Sequence, residues 1–281
     1  MEKIHIVVDL AKCVGCYNCM VACKDEFVGN SWLPYTDEQQ KHEQKWIGPE
    51  KHERGEAPFT EVFYITKLCR HCENAACEKA QPEAVKRRED GIVLLDAEKA
   101  KGNKGLLEAC PYGMISWNEE RQVAQKCTMC AHLLDGGWAE PRCVQACPLR
   151  ALSIVRCDDA EFEKMAEAQG LEPLSDKDSA PRVLYKGLYR RDTCFLAGAL
   201  AYHDGDIEKA AVGAEVKLFK DGGTVSETKS DFFGEFKIDR IPKNSGTYRL
   251  VCTFGGYKPL ETEVSIIENS PCLDAMFFEK E

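Results

Sequence analysis

The stretch that decides the fold is CVGCYNCMVAC, residues 13–23, which places four cysteines at the spacing C-x2-C-x2-C-x3-C. These residues are Cys13, Cys16, Cys19 and Cys23. In paired [4Fe–4S] sites with this spacing, three cysteines bind one cluster and the fourth binds the neighbouring cluster. The two-residue gaps allow a tight loop to bring three thiolates onto adjacent iron corners, and the fourth cysteine departs on a helix. We therefore expect this segment to serve two clusters.

A second complete set of cysteines occurs in CTMCAHLLDGGWAEPRCVQACP, residues 127–148. It begins and ends like the first set around a longer insertion, and its members are Cys127, Cys130, Cys143 and Cys147. If the fourth cysteine of each set crosses to the other cluster, the first cluster is bound by Cys13, Cys16, Cys19 and Cys147. The second cluster is then bound by Cys127, Cys130, Cys143 and Cys23. This crossed pairing predicts that residues 1–30 pack against residues 124–157.

The region between the two sets repeats the pattern with several cysteines replaced. CRHCENAACEKAQP, residues 69–82, has Gln81 where a fourth cysteine would stand, and KAKGNKGLLEACPYG, residues 99–113, keeps a single cysteine. The retained cysteines are Cys69, Cys72, Cys77 and Cys110. Crossed pairing assigns all of these to a third cluster and assigns all the replaced positions to one further cluster. The replaced positions are Gln81, Ala100, Asn103 and Leu106. The sequence thus predicts an internal duplication from which one complete cluster has been removed.

The abundance of cysteine indicates metal binding. Of sixteen cysteines in 281 residues, thirteen lie between Cys13 and Cys157. Such density without a secretory signal favours metal ligands over disulfides. Four-thiolate zinc sites and a disulfide framework remain as alternatives. Four further cysteines fit buried apolar positions, and these are Cys157, Cys194, Cys252 and Cys272. For His71, inside CRHC, the pattern favours a structural role over a hydrogen bond to a cluster sulfur.

Charge and motif content restrict the possible functions. The formal net charge of -10 argues against a nucleic-acid partner. No apolar run of membrane-spanning length and no signal peptide before Cys13 is present, so we expect a cytoplasmic protein without direct membrane insertion. Export with a signal-bearing partner stays open. No phosphate-binding glycine loop, nucleotide fingerprint or nucleophile beside a base occurs. We therefore expect no catalytic residue on this chain and interpret it as a carrier of electrons.

The predicted fold class is α+β, with a duplicated bacterial-ferredoxin-like cluster domain over residues 1–157. One half combines residues 1–30 with 124–157, and the other half comprises residues 62–123. Residues 31–61 are rich in charged and aromatic side chains, and we interpret them as an insertion that faces a partner.

The remainder of the chain changes character. Residues 158–194 are expected to form a helix and an extended connector, with Asp158 as the N-cap and Gly170 as the terminator. Residues 195–281 show alternating apolar residues and glycine-containing turns, which predict a small all-β sandwich of the transthyretin- or prealbumin-like kind. We expect Phe232, Phe233 and Phe236 to belong to its core.

Residues 1–157 resemble the iron–sulfur subunit of the dimethyl sulfoxide reductase family of molybdopterin enzymes, whose usual member carries four such clusters. The lost cluster, the phrases CPYGMISWNEE and AQKCTMCAHLLD, and the β-rich tail are similar to the small subunits of the pyrogallol–phloroglucinol transhydroxylase and resorcinol hydroxylase group. The resemblance implies three [4Fe–4S] clusters on this chain. It implies a heterodimer with a large catalytic subunit that carries molybdopterin guanine dinucleotide with molybdenum. It also implies electron transfer during the transfer or addition of hydroxyl groups on polyhydroxylated aromatic rings.

Two other functions remain compatible with the cysteine pattern. The chain could serve a respiratory or dehydroxylating molybdenum oxidoreductase, whose activity would depend on an added electron donor. It could also be a stand-alone polyferredoxin, which would be isolated as a soluble monomer.

Overall fold

The computed structural model describes residues 2–174 and 177–281. The chain forms two compact units. The first comprises the residues up to Lys51 together with Phe63–Leu188, and the second comprises His52–Val62 together with Tyr189–Glu281. Among the described residues, no helix is long and apolar enough to cross a membrane.

Short helices and strands form the first unit. Its helices are α1 (Asn18–Phe27), α2 (Ala76–Ala80), α3 (Gly105–Glu108), α4 (Ala131–Asp135), α5 (Arg142–Gln145) and α6 (Asp159–Gln169). Its strands are β1 (Lys3–Asp9), β2 (Ile47–Arg54), β3 (Glu61–Leu68), β4 (Val85–Arg87), β5 (Val93–Leu95), β6 (Ser116–Asn118), β7 (Val123–Gln125), β8 (Leu152–Cys157), β9 (Leu171–Glu172) and β10 (Val183–Lys186). The strands β2 and β3 pair with each other, and the segment His52–Val62 at their turn belongs to the second unit.

The strand β1 organises the first unit. It lies inside the sheet β8-β1-β10-β9, antiparallel to β8 and parallel to β10. Its residues 4–8 are all buried, as expected for a strand that is covered on both faces. The pairing of Lys3 with Cys157 and of Val8 with Leu152 brings the two ends of the cluster region together. This pairing is consistent with the packing of residues 1–30 against 124–157, whose assignment to one half of the domain stays a prediction.

The loops between paired cysteines share one backbone conformation. In the first C-x2-C step of each of three cysteine sets, the second intervening residue has a positive φ angle, at Gly15 (66°), His71 (45°) and Met129 (53°). Gly102 holds the same place between Ala100 and Asn103 and has φ 68°. Glycine adopts this left-handed region freely, whereas other residues do so at a cost. The conformation recurs where the cysteines are absent, which supports the duplication inferred from the sequence.

The segment after the cluster region is partly as predicted. Asp158 accepts a hydrogen bond from the backbone N–H of Glu161 at 2.9 Å, and Gly170 ends α6 with φ 61°. Both helix signals are confirmed. The extended part is more than a connector, because β10 joins the sheet beside β1. The sequence does not reveal this, since parallel pairing joins strands that are far apart along the chain.

The second unit is a sandwich of two sheets. Its elements are α7 (Tyr189–Asp192), β11 (Thr193–Asp204), β12 (Ile207–Ala210), β13 (Glu215–Lys220), β14 (Gly223–Lys229), β15 (Glu235–Pro242), β16 (Gly246–Thr253), β17 (Leu260–Ile266) and β18 (Met276–Phe278). One sheet has the order β12-β11-β15 with β18 paired to β11, and the other has the order β14-β13-β16-β17. Asp221 and Gly222, both with positive φ, close the β13–β14 hairpin as the sequence predicts.

The aromatic cluster of this unit corrects one prediction. Phe236 is buried in the sandwich core, but Phe232 and Phe233 are 78% and 72% exposed. The carboxylate of Asp231 accepts backbone hydrogen bonds from Phe233 and Glu235, at 2.8 and 2.9 Å. This turn directs both phenylalanines away from the core, because the two side chains precede the strand instead of alternating along it.

Candidate metal centres

The first cavity is lined by Cys13, Cys16, Cys19 and Cys147. Cys16 is exposed and Cys19 is buried, so the site extends from the surface inward. The side chains of Val14, Tyr17 and Leu149 line its mouth and are exposed. The backbone N–H of Ala151 donates to Cys147 Sγ at 3.2 Å, and Thr66 Oγ1 lies 3.7 Å from Cys13 Sγ.

The second cavity is lined by Cys23, Cys127, Cys130 and Cys143. Its other walls include Phe27, Trp46 and Met129, and the described residues that line it carry no charged side chain. The backbone N–H of Met129 donates to Cys127 Sγ at 3.3 Å. Because Cys19 and Cys23 are four residues apart on α1, they face the same side of the helix. This helix therefore joins the first and second cavities.

The third cavity is lined by Cys69, Cys72, Cys77 and Cys110. Its polar wall differs from that of the second cavity, since it includes Arg70, His71 and Lys126. The guanidinium of Arg70 lies over the ring of Tyr112, 3.8 Å from its centroid. The ammonium nitrogen of Lys126 lies 3.6 Å from Cys69 Sγ, and Lys126 immediately precedes Cys127 of the second cavity. The second and third cavities are therefore linked through Lys126.

The positions without cysteine form a filled region instead of a site. Ala100 and Leu106 are fully buried in the hydrophobic cluster that also contains Cys72. The side-chain amide of Asn103 donates to Gln81 Oε1 at 3.5 Å. A Cβ atom added to Gly105 would lie 3.3 Å from both of these polar side chains. The structure thus brings the replaced positions near one another.

Burial controls the ionisation of the cysteines. It raises the pKa of Cys19 and Cys130 to about 12 and that of Cys77 and Cys127 to about 11. It also raises the pKa of Cys23 and Cys143 well above the usual value. Thiolates are the form that binds metal, so thiols this deeply buried would release their protons only when a bound positive charge stabilises the thiolate.

The donor sets fit iron–sulfur clusters. Each cavity offers four free thiols, which is the number of cysteine ligands that a [4Fe–4S] cluster takes. Among residues 2–174 and 177–281, no group of three or more His, Cys, Asp or Glu side chains is arranged to hold a single metal ion. Four thiolates around zinc would lie about 2.3 Å from one ion, so zinc would require each cavity to contract.

Sequence reasoning grouped the cysteines as the cavities do, but it missed two features. Lys126 gave no signal, because the contact with Cys69 joins residues 57 positions apart. The aromatic side chains of residues 31–61, from which the sequence predicts contact with a partner, also pack against other residues of this chain. Trp46 is buried, Trp32 stacks on His132 with centroids 4.4 Å apart, and the hydroxyl of Tyr35 donates to Asp135. Contact of this segment with a partner stays a prediction.

Comparisons with known proteins agree with this chemistry. Residues 60–157 match the 4Fe-4S dicluster domain family. The chain is 41% identical to the pyrogallol hydroxytransferase small subunit of Pelobacter acidigallici over 254 residues, which cover 89% of this chain and 91% of that protein. It is 33% identical to one chain of the anaerobic dimethyl sulfoxide reductase of Escherichia coli K12, over 59% of this protein and 80% of that one. A minor pilin of Streptococcus agalactiae, GBS52, shares 23% identity over 35% of this chain and 49% of its own, with a TM-score of 0.27.

The cysteine pattern and the 4Fe-4S dicluster domain over residues 60–157 identify an iron–sulfur protein. The protein belongs to the family of iron–sulfur electron-transfer subunits that includes the pyrogallol hydroxytransferase small subunit and the matching chain of anaerobic dimethyl sulfoxide reductase.

Proposed function

We propose that this chain carries three [4Fe–4S] clusters and exchanges electrons with a large molybdopterin subunit that hydroxylates or transhydroxylates polyhydroxylated aromatic compounds. The observation that carries the proposal is the grouping of twelve cysteines around three cavities, four to each. The likeness to the pyrogallol hydroxytransferase small subunit along most of the chain supports the substrate class.

The residues that would hold the clusters are the cysteines of the three cavities. Each bound cluster supplies a site that takes up and releases one electron. The chain itself contributes thiolate ligands and the backbone donors of Ala151 and Met129, which point at cysteine sulfur atoms. The apolar wall of the second cavity, with Phe27 and Trp46, excludes water. Hydrogen bonding to sulfur and exclusion of solvent are the means by which a protein sets cluster potentials.

The arrangement supports one order of electron transfer. The first cavity reaches the surface through Cys16, and α1 joins it to the buried second cavity. Lys126 then joins the second cavity to the third. Electrons would therefore enter or leave at the first site and pass through the second to reach the third. The exposed apolar mouth formed by Val14 and Leu149 suits contact with a partner subunit.

Transhydroxylation requires no net transfer of electrons to or from an external partner. One phenol gains a hydroxyl group while another loses one, so the reaction is redox-neutral overall. The clusters then act as a local store of electrons between the two half-reactions. Potentiometric titration of the purified complex with either phenol checks this: turnover with no cluster ever reduced would exclude the store.

Metal analysis of the chain purified without oxygen from its native host tests the proposal. We expect about twelve irons per chain from three four-iron clusters, little zinc, and molybdenum with a large polypeptide in the same fractions. Zinc in place of iron would exclude the cluster assignment. Iron at this level without molybdenum or a large partner would identify a free polyferredoxin.

A second function is favoured by the match to reductase subunits, among them a tetrathionate reductase subunit of Salmonella typhimurium, 35% identical over 52% of this chain and 55% of that one. The chain would then connect a molybdenum reductase or dehydroxylase to an external donor. Activity that requires an added reductant would favour this function, and activity with phenols alone would favour transhydroxylation. Fractionation of host cells tests the predicted cytoplasmic location.

A further inference from the structure

His71 is an unusual residue for its position. It lies between Cys69 and Cys72, is 1% exposed, and lines the third cavity. Its backbone is left-handed, with φ 45°, a conformation that costs a residue with a side chain about 1–2 kcal/mol. The equivalent loop positions are held by Gly15, Met129 and Gly102, so the loop does not itself need a histidine.

The hydrogen bonds of His71 define its tautomer. The backbone N–H of Val93 donates to Nδ1 at 3.1 Å, so we assign the ring proton to Nε2. Within the part of the chain that the structure describes, Nε2 has no hydrogen-bond partner although it is buried. A buried donor left without an acceptor costs about 1–3 kcal/mol. A donor of this kind in the wall of a cysteine-lined cavity indicates that its acceptor is the group the cavity binds.

Lys126 contributes a second donor to the same cavity. Its side chain is 3% exposed, and the ammonium group donates to the carbonyl oxygens of Val93 and Cys127. The same nitrogen lies 3.6 Å from Cys69 Sγ. Val93 thus accepts from Lys126 through its carbonyl and donates to His71 through its N–H, which holds both side chains against the cavity wall.

We propose that His71 and Lys126 are positioning residues that raise the reduction potential of the third cluster above that of the second. The inference rests on the proposed function, because it requires that Cys69, Cys72, Cys77 and Cys110 bind a cluster. Reduction adds a negative charge to the cluster, and N–H donors or a cation beside its sulfur atoms stabilise that charge. The described residues that line the second cavity include no charged side chain, and Lys126 reaches Cys127 at its backbone carbonyl oxygen, whereas it reaches Cys69 at the sulfur atom. Of the second and third clusters, the third is therefore the one that an added electron occupies first.

The test is a potentiometric titration of the complete native complex, monitored by EPR, with His71→Asn and His71→Gln as a matched pair. Asparagine tolerates the left-handed backbone, and its amide oxygen can accept from Val93, but it removes the donor at the Nε2 position. Glutamine places an amide N–H near that position. In His71→Asn we expect the oxidised-to-reduced ratio of the third cluster, at the wild-type midpoint, to rise about threefold to tenfold, where tenfold corresponds to 59 mV. His71→Gln should restore part of the shift, and the other two clusters should not move.

Three readouts separate failure of this inference from failure of the proposed function. A wild-type complex with fewer than about twelve irons per chain, or without a third EPR signal, overturns both. About twelve irons with a third-cluster potential that does not change in His71→Asn, or that lies below that of the second cluster in the wild type, overturns the inference alone. If His71→Asn fails to assemble, pulsed EPR of the wild-type complex labelled with 15N-histidine tests the hydrogen bond directly. The complex is poised so that one cluster is reduced, and the spectrum should show coupling to a histidine nitrogen. The absence of this coupling would refute the hydrogen bond.

Discussion

Restoring four cysteines should restore a fourth cluster. The change is the combined substitution Gln81→Cys, Ala100→Cys, Asn103→Cys and Leu106→Cys. The backbone is already suitable, since Gly102 keeps the left-handed turn of the loops that carry cysteines. The side chains to be replaced already lie near one another, as the contact between Asn103 and Gln81 and the shared burial of Ala100 and Leu106 indicate.

The expected gain is about four irons, from about twelve to about sixteen per chain. Without a cluster, shortening the fully buried Leu106 leaves a cavity that should cost about 2–5 kcal/mol of folding free energy. A bound cluster occupies that space and should restore most of the lost folding free energy. The free energy therefore distinguishes a filled site from an empty one, independently of the iron count.

The assay is anaerobic reconstitution followed by iron analysis and EPR spin quantification of the reduced protein. The control replaces Gln81, Asn103 and Leu106 by alanine, which opens the same space without thiols and should stay at about twelve irons. If the variant with four added cysteines folds but also stays at about twelve irons, the assignment of these positions to one deleted site is refuted.

Three further predictions concern a loop glycine, a helix cap and a buried histidine. Gly15→Ala should lower iron at the first site, because its Cβ would lie 2.3 Å from the Tyr64 ring; Gly102→Ala, which meets nothing within 4 Å, controls for backbone strain in iron analysis. Asp158→Ala should cost about 1 kcal/mol, seen as a lower thermal midpoint, and an unchanged midpoint would contradict the cap. Burial lowers the pKa of His5 to about 4, helped by the nearby Arg182 guanidinium. The unfolded chain then binds more protons as pH falls from about 6.5 towards 4, so His5 should make the protein about 2 kcal/mol less stable at pH 5 than at pH 7. The measurement is unfolding by guanidinium chloride at both pH values. In His5→Phe, the difference between the two unfolding midpoints should disappear.

The grouping of the cysteines around the cavities could be predicted because short spacings restrict which thiols can meet. C-x2-C steps and the crossing fourth cysteine leave few ways to arrange four ligands, and the cavities group the cysteines accordingly. The helix signals at Asp158 and Gly170 were equally local. Contacts between distant residues were not predictable, because no local pattern encodes them. The pairing of β10 with β1 and the approach of Lys126 to Cys69 are of this kind. The predicted burial of Phe232 and Phe233 was wrong, because residues in a turn do not alternate as strand residues do and the sequence does not indicate which of them point inward.

The graded burial of the cysteines also determines how this protein would respond to air. Cys16 of the first cavity is exposed, whereas Cys23, Cys130 and Cys143 of the second are buried. Oxidants attack the thiol sulfur atoms that they can reach, so damage should begin at the surface cluster and reach the interior one last. A briefly oxygenated sample would then keep its inner clusters while its connection to a partner is already broken. Loss of activity would precede loss of most of the iron, and the outermost site would act as the sacrificial element of the chain.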